Sequence, residues 1–287
     1  MKLSLNCGTV ARVYGLRKTV EIMADAGFTA IDFSAFDAEF YTDAHDRAFY
    51  EEVRRAAEDR GLCFNQAHAP FASSFADDAQ SEQRFQDIVT AMKHASYLGV
   101  PHIVVHPCQH LTYDEPGVPE KLYALNMDFY RRLIPYCEEY QIKIAVENMW
   151  QYPKMISHST CSRPEEFVRY MDGLDSHFVA CLDIGHAVLV REKPEDLIYA
   201  LGKKYLRCLH VHDVNGIEDS HTLPYYGIVN WDRVAQALAA IGYEGDLTYE
   251  AGSFFNIVPS ELWPSALRYM ADVGKYLIDK IMRFQSR

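Results

Sequence analysis

Six residues able to bind a cation or move a proton each stand directly behind an apolar run: His68, His106, Glu147, Asp183, His210 and Glu250. The clearest case is VACLDIGHA, Val179 to Ala187. A short run of small and β-branched apolar residues suits a strand covered on both faces. Asp183 ends the run, Ile184-Gly185 turns the chain, and His186 follows three residues after the acid. Carboxylate oxygen beside imidazole nitrogen suits Zn, Mn or Co. An Asp so placed would equally cap the next helix, and that plainer role is enough for one isolated instance. It is not enough for six in succession, all His, Asp or Glu.

The elements that must position these residues are legible from punctuation and pattern. Strands are expected over 3–6, 29–33, 62–67, 102–105, 143–146, 179–183, 206–211 and 246–249. Between and after them, helices are expected over 18–26, 43–60, 81–98, 121–140, 163–171, 193–201, 231–241 and 260–284. Gly27, Gly61, Gly99 and Gly242 supply stops, Pro194 a first turn, and Pro135 an expected kink. Strict alternation implies parallel strands joined by right-handed crossovers. Eight such units predict an α/β fold, a single (β/α)8 TIM barrel over residues 1–287. An open doubly wound sheet is the alternative, but no Gly-rich phosphate loop follows the first strand. In a barrel the six residues converge at the C-terminal mouth. Three carboxylates meeting there repel one another unless a cation joins them.

Composition narrows the function. The chain has 287 residues, 49% of them hydrophobic, and a formal net charge of −12. So acidic a surface repels nucleic acid and anionic membranes, and no basic stripe compensates. No apolar run approaches the roughly 20 residues of a membrane span, and the N-terminus lacks a signal-like apolar region. Seven cysteines without CxxC spacing, three of them (Cys63, Cys181, Cys208) in or beside apolar runs, suggest reduced thiols and a cytoplasmic location. A homo-oligomer is compatible with all of this.

The loops add further candidates. Asp219-Ser220-His221 forms a D-x-H pair able to reach inward, and His186 lies on the sixth loop. If the seventh strand continues, His212 shares the face of His210 and Asp213 takes the other. The loop over 149–162 carries Trp150, Tyr152 and Met155; with Phe71, Tyr225 and Tyr226, its Trp150 and Tyr152 are candidate aromatic walls for the barrel mouth. Arg12, Lys154 and Arg191 are candidate loop cations.

The ordered set HAPF (68), VVHP (104), VENM (146), LDIGHA (182), LHVHD (209), DSH (219) and YEAG (249) resembles the xylose-isomerase-like TIM-barrel superfamily. That group holds sugar and sugar-phosphate isomerases and epimerases, together with endonuclease IV. The resemblance to its ketose 3-epimerase branch implies a divalent metal (Mn, Co, Zn or Mg) on Glu147, Asp183, His210 and Glu250. It further implies Glu147 and Glu250 as the acid/base pair, and His186 as a substrate contact. The expected reaction is proton transfer through an enediolate of a small ketose or related polyol. A dehydratase of the inosose or dehydroshikimate type is the alternative on the same scaffold. The resemblance to endonuclease IV implies additional metal ligands at His68, His106, His186, Asp219 and His221. All nine positions are filled, but the acidic charge and the aromatic NMWQYP segment favour a sugar. An Arg found a few residues after the strand-seven His in some epimerases is absent from HVHDVNGIED.

Overall fold

The computed structural model describes residues 1–152 and 156–286. Lys154 and Met155 lie outside the described residues. Eight parallel strands form the frame: β1 Leu3–Leu5, β2 Ala30–Ser34, β3 Cys63–His68, β4 His102–Val105, β5 Lys143–Glu147, β6 Phe178–Asp183, β7 Leu206–His210 and β8 Leu247–Tyr249. From β2 to β7 each strand pairs with the next. β1 pairs with β8. Bridges Asn6–Asp32 and Val211–Tyr249 join that pair to β2 and β7, so the sheet closes into a barrel.

Helices return the chain from each strand to the next, as the alternation predicts. They include Leu16–Ala26, Arg47–Glu58, Asp78–Tyr97, Val118–Tyr140, Pro164–Gly173, Pro194–Tyr205, Trp231–Ala240 and Trp263–Gln285. Two short helices had no apolar periodicity to announce them. Gly8–Tyr14 precedes Leu16–Ala26, and Gly15, at φ 75°, breaks the pair. Ile184–Leu189 replaces the turn expected after Asp183, whose side chain accepts the His186 N–H and caps it. His186 is therefore helical, and Asp183 fills the capping role as well as facing the barrel mouth. The helix Val118–Tyr140 runs through Pro135.

Strand alternation explains why the mouth is rich in chemistry. Successive side chains point to opposite faces, so every second residue enters the barrel. Val104, Ala145, Val179, Cys181 and Cys208 form one small buried cluster inside it. The outward-facing Ile103, Val105, Ile144, Val146, Leu182 and Leu209 join the large core beneath the helices. Counting two residues beyond Val104, Ala145, Cys181 and Cys208 gives His106, Glu147, Asp183 and His210. Thr248 and Gln66 lead in the same way to Glu250 and His68. One polar layer thus lies directly on a layer that is small-chained at Ala145, Cys181, Cys208 and Thr248 and larger at Gln66.

Candidate functional site

The polar layer converges as the strand ends require. Nitrogen or oxygen atoms of Glu147, Asp183, His210 and Glu250 lie within 4.8 Å of one another. His210 Nδ1 is 3.2 Å from Glu147 Oε1, 3.2 Å from Glu250 Oε2 and 4.0 Å from Asp183 Oδ2. Glu147 and His210 are fully buried, yet neither carboxylate oxygen of Glu147 and neither nitrogen of His210 has a properly directed hydrogen bond. Buried polar atoms are rarely left so. Close approach without hydrogen-bond geometry is what ligand atoms aimed at a common point would give, so these residues fit a divalent cation.

Two further groups flank this one. His68, His106 and Glu147 form the first. His106 Nε2 lies 3.2 Å from Glu147 Oε2 and 3.0 Å from His68 Nε2. His186, His212, Asp219 and His221 form the second. Asp219 Oδ2 is 3.3 Å from His186 Nε2 and 2.9 Å from His221 Nε2. It also accepts the Trp150 Nε1–H at 3.2 Å.

Backbone carbonyls set the direction of most of these rings. His68 Nδ1 lies 2.7 Å from Ala69 O, His186 Nδ1 2.9 Å from Asn148 O, and His221 Nδ1 2.7 Å from Glu250 O. A carbonyl only accepts, so each Nδ1 carries a proton and each Nε2 faces the site. Asn148 performs a similar service for β6, donating to Asp183 O at 2.9 Å and accepting from Asp183 N at 2.8 Å.

Electrostatics follow from crowding these charges in a dry place. Burial pushes the Glu147 carboxyl upward, but the His210 and His106 imidazoles outweigh it and hold the group well below the usual range. Burial opposes the charged His210 ring, yet Glu250 and Glu147 raise it to about 10. His221 likewise overcomes burial through Asp219 and rises to about 9. Asp32, fully buried on β2, is pushed up to about 7 chiefly by desolvation.

A cleft of about 380 Å³ opens over the site, lined by Phe36, Phe71, Gln109, Trp150, Tyr152 and the exposed edges of His68, His106, His186, Asp219, His221 and Glu250. Glu250 thus lines the cleft, while Glu147 lies behind the imidazoles. No Lys or Arg lines it among the described residues. A smaller lobe adjoins across Phe36, His221 and Glu250 and holds Asn6, Thr9 and Arg12. Arg12 is paired there with Asp37 at 2.9 Å.

Placement differs from expectation at several residues. Tyr225 was expected in the substrate wall but packs outward against Trp231 and Tyr276, because its own N–H donates to the buried Asp213. Tyr226 sits against Phe254 and Tyr269, also outside the cleft. Arg191 is exposed and does not line the cleft. His212 and Asp213 do part company. His212 Nε2 sits 2.9 Å from Asp183 Oδ2. Asp213 turns away and accepts from Val214 N, Tyr225 N, Val229 N and Trp231 Nε1. Phe36 and Gln109 went unnoticed in the sequence because nothing local marks a cleft wall. Asp32 did leave a signal, a charge inside the apolar run AIDF.

Comparisons with known proteins agree with this architecture. A family model described as a xylose isomerase-like TIM barrel matches residues 20–273. An uncharacterized protein of Sinorhizobium fredii is 26% identical over 262 residues, 82% of this chain and 81% of the relative. Among solved structures, a D-tagatose 3-epimerase-like protein has TM-score 0.76 at 21% identity, covering 100% of this chain and 98% of that one. D-psicose 3-epimerase from Clostridium cellulolyticum H10 has TM-score 0.73 at 16% identity, covering 96% and 99%. The IolI protein, solved with a bound zinc atom, has TM-score 0.78 at 18% identity over 100% of both chains.

Proposed function

The chain belongs to the xylose isomerase-like TIM barrel family, and from that premise we propose that it is a divalent-metal-dependent isomerase or epimerase of a small ketose or related polyol. The observation that carries this reading is the set Glu147, Asp183, His210 and Glu250. Its ligand atoms are mutually close, two of its members have unpartnered buried atoms, and the site lies at the foot of an aromatic cleft. The metal at these four residues is Mn, Co, Zn or Mg, and the zinc of the IolI protein is consistent with it.

A bound divalent ion supplies Lewis acidity, which stabilises negative charge developing on the oxygens of a carbonyl substrate. The chain's residues do the rest. Glu250 lines the cleft and exchanges a proton with the sugar carbon on its side. Glu147, held as a carboxylate by His210 and His106, is assigned as its counterpart, a role that needs the substrate to pass the imidazoles now in front of it. His186 presents Nε2 toward the cleft and orients a substrate hydroxyl. Phe36, Phe71, Trp150 and Tyr152 pack on sugar C–H faces and exclude water. The substrate is a small molecule, neutral or phosphorylated. A dehydratase using the same bases is the alternative and is separated by its product.

One observation favours a second reading, a metal-dependent phosphodiesterase: the His68/His106 and His186/Asp219/His221 groups provide room for additional cations. The net charge of −12 and the lack of Lys or Arg in the main cleft among the described residues weigh against a nucleic-acid substrate. The test pairs elemental metal analysis with NMR of candidate ketoses in deuterated water. The expected result is deuterium at one stereocentre, lost at least about 100-fold in Glu147→Gln and Glu250→Gln, in line with the usual weight of acid–base catalysis. If either variant keeps near wild-type turnover with metal bound, the two-base scheme fails. Cleavage of an abasic-site duplex with three ions bound would favour the second reading.

A further inference from the structure

Beyond the residues that face the cleft, we infer that Asp32 is a positioning residue for His210, fixing which nitrogen of that ring is offered to the metal. The inference rests on the metal site proposed above. His210 presents Nδ1 to Glu147 and Glu250 at 3.2 Å each, so Nε2 points away from the site. In His68 the nitrogen turned away from the neighbouring ligand groups meets a backbone carbonyl, and in His186 and His221 one ring nitrogen likewise meets one. His210 has no such carbonyl, and its Nε2 has no hydrogen-bond partner. What stands there is Asp32 Oδ2, at 3.9 Å.

Asp32 belongs to the layer below the ligands, two residues before Ser34, which is level with His68. Its side chain is fully buried and comes from one of the two strands, β1 and β2, on which no chemistry was expected. Oδ2 receives long contacts from Asn6 Nδ2 at 3.4 Å and Gln66 Nε2 at 3.2 Å, and Oδ1 receives nothing. A buried carboxylate held by two amides alone is costly. A buried imidazole N–H without an acceptor is costly too. Each is what the other lacks, and they stand 3.9 Å apart. Metal-bound histidines generally donate their second N–H to a carboxylate or carbonyl, which fixes the tautomer and raises ligand basicity. Asn6 and Gln66, from the strands on either side, hold Asp32 toward the barrel axis.

The experiment measures cobalt(II) binding to chelator-stripped protein by visible absorption, for wild type, Asp32→Asn and the apolar near-isostere Asp32→Leu. Thermal unfolding of the same metal-free samples is followed in parallel. Loss of a histidine's second partner weakens metal affinity about 10- to 100-fold. That range is expected for Asp32→Leu, with a changed cobalt spectrum, and its metal-free Tm falls only by what stranding the Asn6 and Gln66 amides costs. Asp32→Asn, near in shape and still offering an oxygen, is expected to lose less. A role confined to packing would lower Tm and leave the affinity and spectrum alone. Both variants binding within twofold of wild type, with an unchanged spectrum, would overturn the inference. Wild type binding no cobalt would instead overturn the metal site itself.

Discussion

Gly185→Ala should destabilise this protein although it places a better helix former in a helix. Gly185 lies in Ile184–Leu189, just after Asp183. In a helix interior the exchange of Gly for Ala gains up to about 1 kcal/mol. Here the added methyl carbon would stand 2.1 Å from Cε1, 2.6 Å from Nδ1 and 2.7 Å from Nε2 of His212. That ring is fully buried and cannot swing into solvent. It also holds Asp183 through contacts of 3.0 and 2.9 Å. Overpacking costs about 1–3 kcal/mol, and losing a hydrogen bond to a charged group about 1.5–3 kcal/mol. Set against the gain, the net is roughly 1.5–5 kcal/mol of destabilisation. For a chain of this size that lowers Tm by about 3–10 °C. The assay is thermal and urea unfolding of four proteins: wild type, Gly185→Ala, His212→Ala and the double variant. In the His212→Ala background the clash is gone, so the methyl should be neutral or stabilise by up to about 1 kcal/mol. If Gly185→Ala raises Tm on its own, or costs as much without the imidazole, the reasoning from space at His212 is wrong.

Two other perturbations follow from the site. Asp213 accepts two donors on each carboxylate oxygen, from Val214 and Val229 on Oδ1 and from Tyr225 and Trp231 on Oδ2. Asp213→Asn turns an NH2 against one pair, at about 1–3 kcal/mol per stranded donor; a lower urea midpoint with altered Trp231 fluorescence checks it, and an unchanged midpoint refutes it. In the metal-free protein, burial lowers the His221 pKa but Asp219 more than offsets it and raises it to about 9, above the unfolded value near 6.5. The resulting stability is complete below about pH 6.5 and lost as pH rises through about 9. Urea midpoints of chelator-treated protein should fall over that window, and His221→Asn should flatten the fall; a midpoint rising with pH there contradicts the assignment.

What the sequence determined by itself is the order of elements and the chemistry of the strand ends. Apolar runs, glycine stops and the alternation of periods give strand and helix locally, and eight repeats leave little choice but a closed barrel. Because side chains alternate along a strand, a His, Asp or Glu directly behind each run had to enter the mouth. His68, His106, Glu147, Asp183, His210 and Glu250 could therefore be placed at the mouth without coordinates; the family resemblance, not the pattern, singled out Glu147, Asp183, His210 and Glu250, whose atoms do come together. Tertiary structure decided what depends on neighbours distant in the chain. His212 joined the site and Asp213 left it, because one found Asp183 and the other found three donors of its own loop and the Trp231 indole at the start of the next helix. Tyr225 went outward for the same reason. Gly185 is glycine for space beside a ring twenty-seven positions away, not for the turn it suggested. Asp32 gained a place behind His210 only when the bridge Asn6–Asp32 helped close the barrel. Local pattern fixes which face a side chain takes, and closure of the sheet fixes what it meets there.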